Sequence, residues 1–235
     1  MENVLVERKF RQSLRKGNFV KQQQQAKIRV LYGQNDSFHK RLMKRSFDLL
    51  LALFTTVFVL SWLFPIIGIL IKVDSKGPVF FKQLRHGRGN KVFNCYKFRT
   101  MVKNKEADTR QATQNDSRIT RVGRFLRKSS LDELPQIINV LLGDMSIVGP
   151  RPHAVPMNLE FAKEIGGFMQ RHRVKPGITG LAQCKGFRGE ILNFQELYSR
   201  YRLDSFYVKK WCLLFDIRIV IHTAFSLMSK NEKAY

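Results

Sequence analysis

The sequence predicts a small, mostly helical α+β protein built on one membrane-inserted helix. Three observations carry that expectation. An uncharged run of 23 residues, LLLALFTTVFVLSWLFPIIGILI, spans Leu49–Ile71. Two short segments rich in Val, Phe and Tyr follow it around a Gly-containing link, as in a short β-hairpin. Beyond them, apolar residues recur at helical spacing and helix-end signals are present.

Composition narrows the class. At 235 residues, the chain is long enough for about one to one and a half domains. It carries 42 Lys+Arg against 18 Asp+Glu, a net charge of +24. With 44% hydrophobic residues and 19 Phe, it is too apolar for a disordered polycation. Three cysteines, Cys95, Cys184 and Cys212, lie far apart with no C-x-x-C. That excludes a disulfide scaffold and a cysteine-based zinc site, and it fits a reducing compartment. The charge calls for an anionic partner: nucleic acid, acidic lipid head groups or a phosphorylated substrate. Residues 1–46 hold 12 Lys+Arg and 3 acids, whereas residues 47–71 hold Asp48 alone. A basic chain interrupted by a neutral apolar run points to a membrane.

As a helix the run is about 35 Å long, enough to cross a hydrocarbon core of about 30 Å. A signal peptide is excluded by its position, its length and the lack of a small-residue cleavage site. A buried core helix is the alternative. Lys40, Arg41, Lys44 and Arg45 precede the run, and Lys72, Lys76, Lys82 and Arg85 follow it. Positive residues favour the cytoplasmic side, and here both flanks are positive. A re-entrant helix satisfies both. Pro65 removes one helical hydrogen bond and allows a break, although spanning helices also tolerate a Pro kink.

Residues 1–40 read as a basic arm, with Gln22–Gln25 a short low-complexity tract. Gly77-Pro78 is a turn. Val79–Gln83 and Lys91–Phe98 read as strands. The link Leu84–Asn90 contains Gly87-Arg88-Gly89, either a plain hairpin turn or a phosphate-cradling loop. Residues 102–112 read as a polar helix. Arg118, Arg121, Arg124 and Arg127 recur every third residue, a drifting basic stripe that is solvated or faces lipid phosphate. In SSLDELPQIINVLLGDMS, Ser130 and Glu133 have capping-box spacing. Leu134, Ile137, Ile138, Leu141 and Leu142 share a helix face, and Gly143 is a stop. VGPRP, Val148–Pro152, is stiff, with Arg151 between two prolines. KPGITGLAQ, Lys175–Gln183, is rich in turns. Tyr198–Met228 is aromatic and apolar but too polar to span. It suits helices in the membrane interface or ordinary amphipathic core helices.

The chemistry gathers around Asp132 and Glu133. Adjacent carboxylates at a helix start are favoured in ionised form. Most such pairs are structural, but this one has Arg124, Arg127, Lys128 and Arg151 as company. Ionised carboxylates hold Mg²⁺, arginines neutralise a transferring phosphoryl group, and a carboxylate itself attacks phosphorus. Phosphoryl transfer at a membrane is a permitted reading of these residue types.

Longer stretches make the resemblance specific. They are KRSFDLLLA at Lys44–Ala52, GPVFFKQLRHGRGNKVFNCYKFRTM at Gly77–Met101, and DSRITRVGRFLRKSSLDELPQIINVLLGDMSIVGPRP at Asp116–Pro152. VKPGITGLAQ at Val174–Gln183 and the ending around YVKKWCLLFDIRIV continue the series. In this order and spacing, from about Lys40 to Tyr235, the chain resembles the monotopic phosphoglycosyl transferases, a bacterial sugar transferase family. The resemblance implies transfer of a sugar-1-phosphate from a UDP-sugar to undecaprenyl phosphate. The products would be UMP and undecaprenyl-diphosphate-sugar, the first membrane step of a capsule, exopolysaccharide or O-antigen. It implies a re-entrant helix and a catalytic domain on the cytoplasmic face of the bacterial inner membrane.

The implied roles fall residue by residue. Asp132 is the nucleophile that forms a covalent phospho-sugar intermediate, and Glu133 is its dyad partner, with Mg²⁺ bound at the pair. Arg127, Arg151 and Lys97 contact phosphate. Lys175, Gly177, Thr179 and Gln183 lie near the nucleotide or sugar, as do Arg188 and Glu190 of GFRGE. That motif resembles members using UDP-glucose or UDP-galactose, with an N-acetylated or diacetamido sugar as the alternative. Pro65 breaks the membrane helix. The implied division is a basic tail over 1–40, a re-entrant helix over 41–72, a cytoplasmic catalytic domain over 73–187 and interfacial helices over 188–235. Two positions depart from the family. Phe64 precedes Pro65 where Ser is common, and Leu181 stands where Trp is common. Membrane lipids are the expected surroundings, and a homodimer is compatible with the same segments. A noncatalytic membrane adaptor on this scaffold is the alternative. A nucleic-acid-binding protein is disfavoured by the apolar run and the lack of a recognisable binding motif.

Overall fold

The computed structural model describes residues 37–102, 116–187 and 189–228. The chain divides into two units, residues 1–41 and 42–235. Nearly all of the expected tail lies outside the described residues, and so does the polar helix expected over 102–112, beyond Val102.

One helix, α1, runs from Phe38 to Asp74. It starts earlier and ends later than the uncharged run because flanking Lys and Arg are good helix formers. Its middle turn, Thr56–Leu60, widens to π-helical geometry, and Pro65 lies one turn on. Around this turn, side-chain hydroxyls donate to backbone carbonyls four residues back. Thr55 Oγ1 donates to Leu51 O and Thr56 Oγ1 to Ala52 O, each at 2.8 Å. Ser61 Oγ donates to Val57 O at 2.6 Å. Asp48, Ala52, Leu60, Ile67 and Ile71 form a buried stripe along one face of α1. The other face leaves Leu50, Phe54, Phe58, Trp62, Ile66 and Ile69 uncovered.

Two strands follow, β1 (Phe80–His86) and β2 (Val92–Phe98), antiparallel with Phe81 opposite Lys97. The first strand extends to His86, three residues past expectation, and the turn shrinks to Gly87–Lys91. Gly87 N and Lys91 O close it at 2.7 Å. The turn lies at the far end of the hairpin from Lys97, five residues or about 17 Å along β2. Ile67, Ile71, Phe98 and Leu126 make a core between α1, the hairpin and α2 (Arg121–Lys128). Phe64 joins it, its ring 5.0 Å from Phe98, so the residue in place of the common Ser anchors α1 to the hairpin. Gly123 is needed here, because a Cβ would collide with the Thr100 carbonyl. Thr120 caps α2 by accepting from Gly123 N at 3.0 Å. Of the expected basic stripe, Arg118 precedes α2 and pairs with Asp116 at 2.6 Å.

Helix α3 (Gln136–Leu142) ends where expected, at Gly143, whose φ of 91° a side chain would strain. Buried Asn139 ties α3 to the hairpin. Its Nδ2 donates to Asn94 O at 2.7 Å, and its Oδ1 accepts from Tyr96 N at 2.9 Å. Then come β3 (Ser146–Val148), α4 (Val155–Glu164), β4 (Gly177–Thr179, parallel to β3) and the short α5 (Leu181–Cys184). Two longer helices, α6 (Phe194–Lys210) and α7 (Leu213–Met228), close the described chain. The result is a mostly helical α+β architecture with two small sheets and one long apolar helix.

Candidate active site

The acidic pair sits on a tight turn. Leu131–Glu133 is a 3₁₀ turn entered through Ser130, whose φ is 58°. Pro135 has no N–H to donate, so α3 begins only at Gln136. This corrects the expected capping box. Ser130 makes no side-chain cap bond, and the Glu133 carboxylate turns the other way. Two cations outweigh one backbone N–H as its partners.

Arg151 grips Glu133 with both guanidinium ends, Nη1 to Oε2 at 2.9 Å and Nη2 to Oε1 at 2.5 Å. Lys97 Nζ donates to Glu133 Oε1 at 2.7 Å. Asp132 is held more loosely. Its Oδ2 is 3.8 Å from Lys97 Nζ, beyond hydrogen-bond reach. Arg127 projects from the last turn of α2 and donates from Nε to Thr100 Oγ1 at 2.8 Å. Lys97 comes from β2, Arg127 from α2 and Arg151 from the loop after β3. The Asn139 bonds hold β2 against α3, the helix that follows the acidic turn.

The two acids differ in their electrostatics. Burial pushes the Asp132 carboxyl up; Lys97 draws it down, Glu133 adds to the rise, and Arg127 and Arg151 oppose it. The net shift is upward. Burial acts on Glu133 in the same sense, but Arg151 and Lys97 together outweigh it and hold that carboxyl well below the usual range. Glu133 is a fixed anion tied to two cations, and Asp132 is the carboxylate with an oxygen to offer.

The structure thus brings together Asp132, Glu133, Lys97, Arg127 and Arg151. The other expected residues spread along and beyond β4. Lys175 Nζ lies beside Gly143 with Arg45, at the opposite end of α3 from Asp132. Gly177 N donates to Pro150 O at 3.0 Å, next to Arg151. Thr179 is buried, with Oγ1 2.7 Å from Thr223 Oγ1. Gln183 Nε2 donates to Ile178 O at 3.1 Å. Glu190 O accepts from Arg200 Nη2 at 3.1 Å. Arg188 lies outside the described residues. Pro65 is on the uncovered face of α1.

Thr100 and Asn139 support the site and escape sequence reasoning. Asn139 had a signal, a polar residue in the apolar run of α3. Thr100 had none. Asp48 had the clearest one, as the lone charge within residues 47–71.

Among the described residues, no group of three His, Cys, Asp or Glu side chains gathers as a metal cage. Mg²⁺ does not need one, because it commonly takes one or two carboxylates and completes its shell with phosphate and water. Both Glu133 oxygens already face cations, so the donor set fits an ion held chiefly by Asp132 and shared with substrate.

The comparisons accord with this geometry. Residues 39–230 match the bacterial sugar transferase family model. Over 180 residues the chain is 51% identical to the UDP-glucose:undecaprenyl-phosphate glucose-1-phosphate transferase of Xanthomonas campestris pv. campestris, covering 74% of this chain and 37% of that protein. The protein of the same name from Escherichia coli (strain K12) is 47% identical over 206 residues, with 87% and 44% covered. The chain therefore spans less than half the length of either. The exopolysaccharide production protein PSS of Rhizobium leguminosarum bv. phaseoli is 39% identical over 196 residues, 81% of this chain and 98% of that protein. The family match and these identities establish that the chain belongs to the bacterial sugar transferase family.

Proposed function

We propose that the chain transfers a sugar-1-phosphate, glucose-1-phosphate foremost, from a UDP-sugar to undecaprenyl phosphate, and so initiates exopolysaccharide synthesis. The observation that carries this reading is the unequal acidic pair. Glu133 is saturated by Arg151 and Lys97, while Asp132 keeps its oxygens out of hydrogen bonds to those cations.

The chemistry follows in two displacements. The diphosphate of the donor settles against Lys97, Arg127 and Arg151, which neutralise its charge. An Asp132 oxygen attacks the phosphorus that bears the sugar. The bond from that phosphorus to the bridging oxygen breaks, and UMP leaves with the electron pair. A phosphate oxygen of undecaprenyl phosphate then attacks the same phosphorus. The Asp132 carboxylate leaves, and undecaprenyl-diphosphate-sugar forms. Glu133 stays ionised throughout and keeps Arg151 and Lys97 in place. Mg²⁺ at Asp132 would add charge neutralisation at the diphosphate.

The lipid acceptor requires the site to lie at a bilayer. The uncovered face of α1 supports that, and Leu214, Ile217, Ile221 and Phe225 on α7 add an interfacial face. Both ends of α1 are fastened to the same body. Near its start, Arg45 donates to Val140 O at 2.6 Å. At its end, Arg99 donates to Ser75 O at 2.6 Å. Together with the basic flanks, this supports a helix that enters and leaves on the cytoplasmic side. In a background lacking the three native cysteines, Ser46→Cys and Lys76→Cys should both be labelled from the cytoplasmic side. Labelling from opposite sides would rule out re-entry.

The central test is UMP release from a panel of UDP-sugars, with undecaprenyl phosphate and Mg²⁺, in detergent or nanodiscs. UDP-glucose is expected to be the best donor, and Asp132→Asn to be inactive. Release by that variant at a substantial rate would remove Asp132 as nucleophile. A folded wild type that releases no UMP from any donor would favour the adaptor reading.

A further inference from the structure

Pro150, Arg151 and Pro152 offer one backbone N–H but three carbonyls, and each carbonyl is held by a different segment. Gly177 N of β4 donates to Pro150 O at 3.0 Å. Arg85 Nη1 of β1 donates to Pro152 O at 2.6 Å. Arg171 Nη2 donates to the Arg151 carbonyl itself. The first two donors belong to the sheets. The third is a buried guanidinium with no evident reason to be there.

Arg171 is 2% exposed and lies in the 3₁₀ segment Phe168–Arg173. Asp204 of α6, 3% exposed, pairs with it at 3.0 Å. The Phe168 ring lies 5.1 Å from the guanidinium carbon. A buried ion pair is a poor way to gain stability, because two apolar side chains of similar volume fill the same space as well or better. What an ion pair supplies is geometry: a planar donor fixed in one orientation. Here that orientation delivers a hydrogen bond to the backbone of the residue whose side chain forks onto Glu133.

We propose that Arg171 and Asp204 are a positioning pair for Arg151. Asp204 fixes the Arg171 guanidinium, Arg171 fixes the Arg151 carbonyl, and the Arg151 side chain is thereby aimed at the acidic turn. The consequence for catalysis rests on the transferase reading, since it assumes that Arg151 meets the donor's phosphates. Neither Arg171 nor Asp204 touches the reacting atoms in this scheme. The pair acts on turnover only through Arg151.

The test uses the full chain in nanodiscs and two readouts. Arg171→Met/Asp204→Leu removes both charges together, so no buried charge is stranded. Asp204→Asn, which keeps the shape and one acceptor, is the second variant should the first not fold. The first readout is the Arg151 Nε–H signal in ¹⁵N-arginine-labelled protein, assigned by its loss in Arg151→Lys. Its exchange with water should speed up about tenfold or more in the variants as the side chain gains local freedom. A purely structural role would lower the melting temperature and leave that exchange unchanged. The second readout is UMP release. Turnover should fall roughly ten- to a hundredfold, with the melting temperature largely kept in the double variant. The same substitutions should cost little more in an Arg151→Lys background. A folded variant with unchanged Arg151 exchange overturns the positioning pair, whether or not the protein turns over. A wild type that releases no UMP overturns the transferase reading, and the exchange readout still judges the pair.

Discussion

Two buried charge clusters in this molecule are built from the same kinds of residue and end in opposite states. At the foot of α1, Asp48 accepts from Ser146 Oγ at 2.9 Å and Ile147 N at 3.1 Å, with Lys44 at 3.2 Å. Asp216 of α7 accepts from Tyr207 OH at 2.8 Å and Trp211 Nε1 at 2.9 Å, with Lys44 at 2.7 Å. Both carboxylates are filled by donors of the fold itself. At the acidic turn, Glu133 is filled in the same way, and its neighbour Asp132 is not. Burial is common to both clusters, so burial does not set Asp132 apart. Incomplete satisfaction does. A buried acid short of donors is costly in the folded state, and that cost is what a substrate or an ion relieves on binding.

The largest expected effect breaks the comparison at Asp132. Asp132→Asn should lower sugar-phosphate transfer by about a thousandfold or more, because an amide is a very poor nucleophile. The same change should raise the melting temperature. The folded carboxyl sits above its ordinary pKa, so the folded state binds that proton more tightly than the unfolded chain does. Its charged form therefore weighs against folding at neutral pH. The gain from Asn should grow as the pH rises above the ordinary carboxylate range and vanish as the pH falls into it. A variant that is inactive and less stable would show that Asp132 is a structural group.

The next two effects separate the clusters. Glu133→Gln leaves Arg151 and Lys97 without their anion and should cost roughly a hundredfold in turnover. Asp216→Asn removes a filled carboxylate but leaves Lys44 with Asp48, and should cost roughly 1–3 kcal/mol of stability. Its turnover per folded molecule should match wild type. Thermal unfolding and UMP release on the same samples read both.

The sequence carried the site's membership better than its geometry. Lys97, Arg127, Asp132, Glu133 and Arg151, which the structure brings together, were legible through the family resemblance of KFRTM, LRKSSLDE and PRP. The hairpin was legible from its enrichment in Val, Phe and Tyr, and the Gly143 stop from the lack of a side chain. The 3₁₀ turn was not. Ser130 and Glu133 satisfy a local capping rule, and the partners that override it, Lys97 and Arg151, arrive from 36 and 18 residues away. Arg171 and Asp204 were illegible for the same reason. Each is an ordinary charge in an ordinary helical stretch, and only the fold brings them together at the back of Arg151.

The smallest effect concerns a group in neither cluster. His172 is buried against the hairpin, with Nδ1 2.7 Å from Asn90 Oδ1 and its ring 5.6 Å from His86. Burial, then Arg171 and His86, push its pKa down from 6.5 to about 3. A histidine depressed in this way is neutral when folded and takes a proton when unfolded. Its contribution to stability is whole above about pH 6.5 and is lost as the pH falls towards about 3. Between pH 7 and pH 5 the loss comes to at most about 2 kcal/mol. His172→Phe keeps an aromatic ring there and cannot take up a proton. Its stability at pH 7 should be lower than wild type, because Asn90 loses a partner. Its decline from pH 7 to pH 5 should be shallower. Equal slopes in the two proteins would mean that His172 is protonated inside the fold. Its Nε2, which has no hydrogen-bond partner among the described residues, would then be the atom to locate.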